Sequence, residues 1–301
     1  MHCTSPIIST AETSEGAGEF KILYPCGRCI PCRIKKRNEV ATRIVLEMSQ
    51  HTANLFVTLT YSPDNLPESG VEKSHIQKYI MRLRQSLRLS GNTQSLRYFA
   101  CGEYGSKTHR AHYHLVLFGL DANYESLVRD AWSIRGNPIG HVHIGEAHAG
   151  AGKYVAKYAS KGITTNKRID RIQALEGKNP EFNLRSKHPA LGFTAIQKLA
   201  DSLKRHGITD KLRSKFDFGS AERENKIPIA IRFDNQQWPL DRYLRDVLYK
   251  LVHGEKKDGL AVAHASYIDY AQNQTKYRLQ TEQSLARARL TFGKVLNSDK
   301  F

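Results

Sequence analysis

Residues 97–119 constrain the fold more tightly than any other stretch. Two runs rich in apolar, β-branched and aromatic residues, Arg97–Glu103 and His112–Gly119, flank a polar, glycine-containing connection, Tyr104–Ala111. That pattern predicts a β-hairpin. The second run opens with His112-Tyr113-His114. Side chains at i and i+2 of a strand share a face, so both imidazoles can serve one divalent ion. A register that sets Glu103 opposite His112 adds a carboxylate on the same face, whereas a slip of one residue turns it away. Two histidines and a carboxylate leave coordination positions open for substrate oxygens and water. Cys101 shares that face, opposite His114. His141-Val142-His143 is a second pair competing for the same role, without a carboxylate hairpin before it, and His109 reads as a loop residue.

The flanking sequence supplies further elements. Leu55–Tyr61 reads as a strand that ends at Ser62-Pro63-Asp64. Apolar residues at helical spacing predict helices over 33–50, over 74–87 with Ser74 as its cap and Ile76, Tyr79, Ile80, Leu83 and Leu87 inward, and over 124–132. A strand is expected over 139–145 and a helix over 153–161, ended by Gly162. Alternation of hairpin strands and helices implies an α+β fold, a mainly antiparallel sheet with helices packed on it. Residues 1–24 are expected to be a flexible segment, 25–165 the principal domain and 166–301 a basic, mainly helical C-terminal region with helices over 194–206, 240–252 and 260–292.

Charge narrows the class of partner. The 301 residues carry 46 Lys+Arg against 29 Asp+Glu, a formal net charge of +17, which points to a polyanion, nucleic acid first. Much of that basic excess is expected to make phosphate contacts that weaken steeply with salt. No apolar run approaches the ~18–20 residues of a membrane span, and no secretory leader is expected. Three of the five cysteines fall in Cys26-Gly-Arg-Cys29-Ile-Pro-Cys32. An odd number in so tight a cluster argues for a reducing compartment, and the spacing suits Zn²⁺ or an iron–sulfur centre. A fourth ligand has to come from Cys3, Cys101 or a histidine. The plain alternative is a tight turn with packed thiols.

A further motif is Tyr154-Val-Ala-Lys157-Tyr158-Ala-Ser-Lys161. On a helix the two tyrosines stand one turn apart on one face, with Lys157 and Lys161 beside them. A phenol of ordinary pKa near ~10 is a poor nucleophile at neutral pH. A nearby ammonium favours the phenolate, and a metal-bound phosphate is the better electrophile. The competing reading is an amphipathic helix whose rings pack on the sheet; the His pair tilts the choice toward chemistry.

In order along the chain, the Thr-Leu-Thr-Tyr strand, the His-hydrophobic-His strand and the tyrosine helix resemble the HUH endonucleases. More closely, the chain is similar to the replication initiators of the Microviridae, gokushovirus type. The residues that carry this are Pro25–Arg33, Phe56–Tyr61, Cys101-Gly-Glu-Tyr-Gly105, His112–Gly119 and the paired tyrosines. Pro189-Ala-Leu-Gly192 and Leu240-Asp-Arg-Tyr243 match family segments to which no chemistry attaches.

The resemblance implies a rolling-circle DNA nickase and ligase in the cytoplasm of an infected bacterial host, acting on a single-stranded DNA origin. Mg²⁺ or Mn²⁺ would sit on His112, His114 and Glu103. Tyr154 and Tyr158 would be alternating nucleophiles that form a 5′-phosphotyrosine, with Lys157 and Lys161 steadying charge. Host replication proteins are candidate partners, and Cys26, Cys29 and Cys32 candidate ligands of a structural Zn²⁺. The alternative from another class is a non-catalytic, zinc-containing nucleic-acid-binding regulator.

Overall fold

The computed structural model describes residues 3–12, 19–105, 108–147, 177–206, 230–233, 236–254 and 284. In chain order its elements are β1 (Ile7–Glu12), β2 (Glu19–Tyr24), α1 (Ile30–Met48), β3 (Asn54–Thr60), α2 (Lys73–Leu89), β4 (Arg97–Tyr104), β5 (Ala111–Phe118), α3 (Glu125–Asp130), β6 (Ser133–Ile134), β7 (Asn137–Pro138), β8 (Val142–Glu146), β9 (Phe182–Arg185), α4 (Phe193–Arg205), β10 (Ala230–Phe233), β11 (Gln236–Pro239) and α5 (Arg242–His253). The chain divides into two compact units. The first includes the described residues up to Lys36, and the second those from Arg37 to Gly254.

The second unit is built on a five-stranded, fully antiparallel sheet in the order β8-β3-β5-β4-β9. On one face Leu55, Val57, Leu59, Ala100, Tyr113, Leu115 and Leu117 pack against α2 through Ile76, Tyr79, Ile80, Leu83 and Leu87, with Val128 and Trp132 closing the end. On the other, Phe99, Cys101, Val116 and Phe118 meet Val40, Ala41, Ile44, Val45 and Met48 of α1. Burial on both faces explains why β5 reads as a nearly unbroken apolar run after its histidines. Each fully buried aliphatic or aromatic side chain contributes about 2 kcal/mol. No helix among the described residues is long and apolar enough to cross a membrane.

The α+β, antiparallel reading is borne out, and several boundaries are corrected. Residues 7–12, expected to be flexible, pair with β2 in a hairpin. Ser74 lies inside the first turn of α2, and Glu72 is the N-cap. The Glu72 amide donates to the Tyr113 hydroxyl at 2.7 Å, and its carboxylate accepts from Ser69 and Asn179, so the chain enters the helix already anchored. The strand expected from 139 begins at Val142. Before it, Ile139 and His141 offer their carbonyls to the amides of Ser62 and Thr60. Gly140 lies so close there that a Cβ would collide with the Thr60 carbonyl oxygen.

Strand β9 was not expected, and it takes the sheet edge from beyond residue 165. The hairpin of β10 and β11 was not expected either and precedes α5. Helices α4 and α5 match the expected 194–206 and 240–252 within two residues at each end. The helices expected over 153–161 and 260–292 fall on residues outside those described, apart from residue 284, which is helical.

Helix α1 carries the ion pairs that bind the later segments to the sheet. Glu47, 2% exposed, pairs with Arg97 of β4 and accepts the Gly192 amide at 2.8 Å, while Arg97 also donates to the Pro189 carbonyl at 2.9 Å. Gly192 adopts φ +82° and would set a Cβ 3.2 Å from Leu46, so the turn into α4 requires glycine. One turn earlier on α1, Arg43 pairs with Asp241 and lies over the Tyr243 ring, 4.9 Å from its centroid. Asp241 also caps α5 through the Leu244 amide. The segments Pro189–Gly192 and Leu240–Tyr243 are therefore docking elements for α1.

Burial by itself would raise the Glu47 pKa, but the bonds from His51, Arg97 and the Gly192 amide outweigh it and hold the carboxyl below the ordinary carboxylate range. A depressed folded pKa contributes stability above the unfolded value near ~4.3 that is lost as pH falls through the folded pKa. Glu47→Gln should lower stability by about 3 kcal/mol at pH 7, since it leaves Arg97 without its counter-charge. The gap to the unsubstituted chain should shrink in acid as Glu47 takes up its proton. Urea unfolding at a series of pH values reads both effects, and equal midpoints at neutral pH would refute the assignment.

Candidate metal centre

The register of β4 against β5 sets Glu103 opposite His112 and Cys101 opposite His114. On the neighbouring strand, Thr60 stands opposite His112 and Thr58 opposite His114. Directly opposed residues of antiparallel strands share a face, so these side chains form one patch on the α1 side of the sheet. Glu103 Oε1 lies 2.8 Å from His112 Nε2 and 3.2 Å from His114 Nε2. One ligand atom from each of the three residues falls within 4.8 Å of the others.

The far side of each ring is also engaged. His112 Nδ1 is 3.1 Å from the Arg110 carbonyl, which can only accept, so Nδ1 carries the proton and Nε2 is the ring atom turned to Glu103. His114 Nδ1 is 3.0 Å from the Thr58 hydroxyl. The two imidazoles meet edge to face with centroids 5.0 Å apart, and Phe56 stacks on His114 at 5.7 Å. Glu103 and His114 are 3% and 7% exposed, while the His112 side chain is 19% exposed. Access to the group is therefore from the His112 side. Two imidazole nitrogens and a carboxylate oxygen suit a divalent ion of the Mg²⁺–Mn²⁺–Zn²⁺ range that keeps positions for substrate oxygens. Carbonyl and hydroxyl partners behind the rings are the outer support that such ligands need.

The opposite face holds the histidine strand in place. Tyr113, between the two histidines, points into the core, where its hydroxyl meets that of Tyr61 at 2.6 Å, and Tyr61 in turn reaches His75 Nδ1 at 2.6 Å. Burial drives the phenols of Tyr61, Tyr79, Tyr98, Tyr104 and Tyr113 upward, so they stay protonated. Tyr79 donates to the Val128 carbonyl at 3.1 Å and Tyr104 to the Asn179 carbonyl at 2.7 Å.

Of the residues singled out in the sequence, Glu103, His112 and His114 are brought together in the register the argument required. Cys101 shares the face but is 1% exposed, packs under α1, and its thiol donates to the His114 carbonyl at 3.6 Å. His143 stands opposite Thr58 on β8, with β3 between it and β5. Neither it nor His141 belongs to the close group. Tyr154, Lys157, Tyr158 and Lys161 lie outside the described residues.

In the first unit Cys26, Cys29 and Cys32 gather with Cys3 into a second group of the same closeness. Burial acts to raise the Cys29 thiol, yet hydrogen bonds from Cys32 and Thr4 outweigh it and bring the pKa down to about 6. Cys32 is pushed up by burial and by its neighbour Cys29. Thr58 and the Arg110 carbonyl were missed in the sequence. The signal for Thr58 was present, since position 58 faces the same way as positions 56 and 60 of a strand already recognised.

An antiparallel sheet that presents a His-x-His strand to a carboxylate is consistent with an HUH endonuclease-like domain. Residues 54–163 match the family model described as replication-associated protein ORF2. The chain is similar to replication-associated protein VP4 of Bdellovibrio phage phiMH2K, 26% identical over 285 residues, which covers 85% of this chain and 79% of that protein. Replication-associated protein ORF4 of Chlamydia phage 1 is 26% identical over 171 residues, 50% of this chain and 41% of that protein. Replication-associated protein ORF2 of Spiroplasma virus 4 is 36% identical over 102 residues, 32% of each chain. The expected kinship with the replication initiators of the Microviridae is borne out by these matches. No solved structure matches the chain.

Cys101, packed beneath α1, should resist alkylation in the native protein and react only on unfolding. Mass spectrometry after brief iodoacetamide treatment reads this; rapid native labelling of Cys101 would show that the α1 face does not cover it.

Proposed function

We propose that this protein initiates phage DNA replication by cutting and rejoining single-stranded origin DNA through a covalent tyrosine intermediate. The observation that carries the reading is Glu103 Oε1 within hydrogen-bonding reach of both His112 Nε2 and His114 Nε2, on a face reached from the His112 side. Glu103, His112 and His114 would hold Mg²⁺ or Mn²⁺, and such an ion, when bound, polarises the scissile phosphate and spreads its developing charge. Thr58, the Arg110 carbonyl and Phe56 orient the two rings, and Tyr113 keeps their strand from turning.

The nucleophile is Tyr154 or Tyr158. Its phenolic oxygen, having lost its proton, bonds to phosphorus as the P–O3′ bond breaks. The 3′ oxygen leaves, takes up a proton and becomes a free primer hydroxyl, while the 5′ side stays on tyrosine. The second tyrosine repeats the attack after one round, and the 3′ hydroxyl then displaces the first phosphotyrosine to reseal the strand. Bond energy is conserved at each transfer, so no nucleotide cofactor is needed for rejoining. Lys157 and Lys161 lower the phenol pKa or steady phosphate charge.

In this reading residues 25–165 form the catalytic domain. Residues 166–301 are the basic, mainly helical C-terminal region, whose role is to bind DNA, to contact host replication proteins or only to brace the fold. The work takes place in the cytoplasm of the infected bacterium.

Incubating the protein with origin-bearing single-stranded DNA and Mn²⁺ should give a protein–DNA adduct that survives a denaturing gel and vanishes with EDTA. Tyr154→Phe combined with Tyr158→Phe should keep DNA binding and lose the adduct. An adduct from the double variant would overturn the nucleophile assignment, and no adduct on any single-stranded substrate would favour the non-catalytic regulator.

Thr58→Val should weaken Mn²⁺ binding by about 10–100-fold by releasing the His114 ring, with Thr58→Ser retaining most of the affinity. Calorimetric titration of the folded variants reads this. Unchanged binding in Thr58→Val would mean the hydroxyl does not position the ring.

A further inference from the structure

The first unit holds a cysteine group that the nicking chemistry does not use. The β1–β2 hairpin pairs Ile7 with Tyr24 at its open end. Continuing that antiparallel approach beyond the pair brings the chain before Ile7 alongside the turn after Tyr24. There the Cys26 amide donates to Cys3 Sγ at 3.2 Å, and Cys3 Sγ stands 3.7 Å from Cys29 Sγ. Gly27, at φ +69°, bends the chain back so that the amides of Arg28 and Cys29 donate to Cys26 Sγ at 3.4 and 3.3 Å. Cys29 immediately precedes α1 and Cys32 lies in its first turn. One sulfur from each of the four cysteines falls within 4.8 Å of the others, and all four are free thiols.

We propose that Cys3, Cys26, Cys29 and Cys32 form a mononuclear tetrathiolate zinc site that ties the start of the chain to the start of α1. Four sulfurs at the Zn–S distance of about 2.3 Å form a tetrahedron with edges of about 3.8 Å, which is close to the spacing between Cys3 and Cys29. A disulfide requires sulfurs about 2.05 Å apart and leaves the other two thiols with no role. An iron–sulfur cluster holds its cysteine sulfurs farther apart, because the inorganic core lies among them. Amides that donate to Cys26 and Cys3 are the outer partners that stabilise thiolate ligands.

The charge around the group agrees. Four thiolates on Zn²⁺ leave two negative charges, and Arg33, one residue after Cys32, has its Nε buried without a hydrogen-bond partner among the described residues. The site supplies no open coordination position, so its role is structural. It closes the long connection from Cys3 to Cys26, in a segment whose two-stranded hairpin is marginal by itself.

The full-length protein carrying His112→Ala and His114→Ala, purified under reducing conditions without added metal, should contain one zinc per chain by elemental analysis. Release should require modification of four thiols. Cobalt exchanged into the site should show the strong visible bands and thiolate charge-transfer absorption of a tetrahedral four-sulfur centre. Those signals should survive His112→Ala with His114→Ala, which separates this site from the proposed catalytic one, and should survive Cys101→Ser. Cys3→Ser should weaken metal retention by about 100-fold or more, with the circular dichroism of the second unit preserved.

An unchanged four-sulfur cobalt spectrum in Cys3→Ser would overturn the ligand set. Absence of zinc with four readily alkylated thiols, a mass lower by two hydrogens in non-reducing conditions, or an iron–sulfur chromophore would each overturn the zinc assignment. None of these readouts depends on nicking activity.

Discussion

The pairing of β4 with β5 is the constraint on which the rest of the site depends. Strand side chains alternate with a period of two, so a register shifted by one residue would send Glu103 into the α2 side of the core and leave two histidines with no carboxylate. Several interactions oppose that slip. Tyr113, held by Tyr61 and Glu72, is locked into the α2 face and forces its neighbours His112 and His114 onto the other. Val116 and Phe118 must then lie under α1, where Phe99 and Cys101 of β4 meet them. Register, core packing and site geometry are thus one decision, enforced from both faces of the sheet.

The same α1 face links the sheet to segments distant in sequence. Glu47 and Arg43 stand four residues apart on one side of the helix and fasten, respectively, the turn at Gly192 and the cap of α5. A buried carboxylate without partners would cost several kcal/mol, so Glu47 is tolerated only because Arg97 and the Gly192 amide arrive together. That mutual dependence makes the C-terminal helices part of the frame that fixes α1. It accounts for family-like sequence segments to which no chemistry attaches.

Much of this architecture was legible beforehand. The apolar runs of β3, β4 and β5 and the helical period of α1 and α2 carry strong local signals, and all five inward residues expected for α2 are buried. What escaped was short or depended on distant partners. Strand β9 is four residues of ordinary composition that extend only because β4 offers an open edge. Residues 7–12 were expected to be flexible, yet they pair with β2, and local propensity does not encode that pairing. Ser74 carried a capping signature that lost to Glu72, whose backbone is claimed by Tyr113.

The sequence by itself determined the chemical inventory: two imidazoles at strand spacing, a carboxylate nine residues before the first, three thiols in seven positions, and a large basic excess. Spacing along one element suffices for such statements because the helical and strand periods are properties of the backbone. Only the tertiary structure decided that Glu103 faces His112, that Thr58 stands behind His114, that Cys101 is packing and that Cys3 joins the other thiols. Each of those depends on a second segment arriving in a particular register, and register is set by the packing of whole faces, which no local pattern contains.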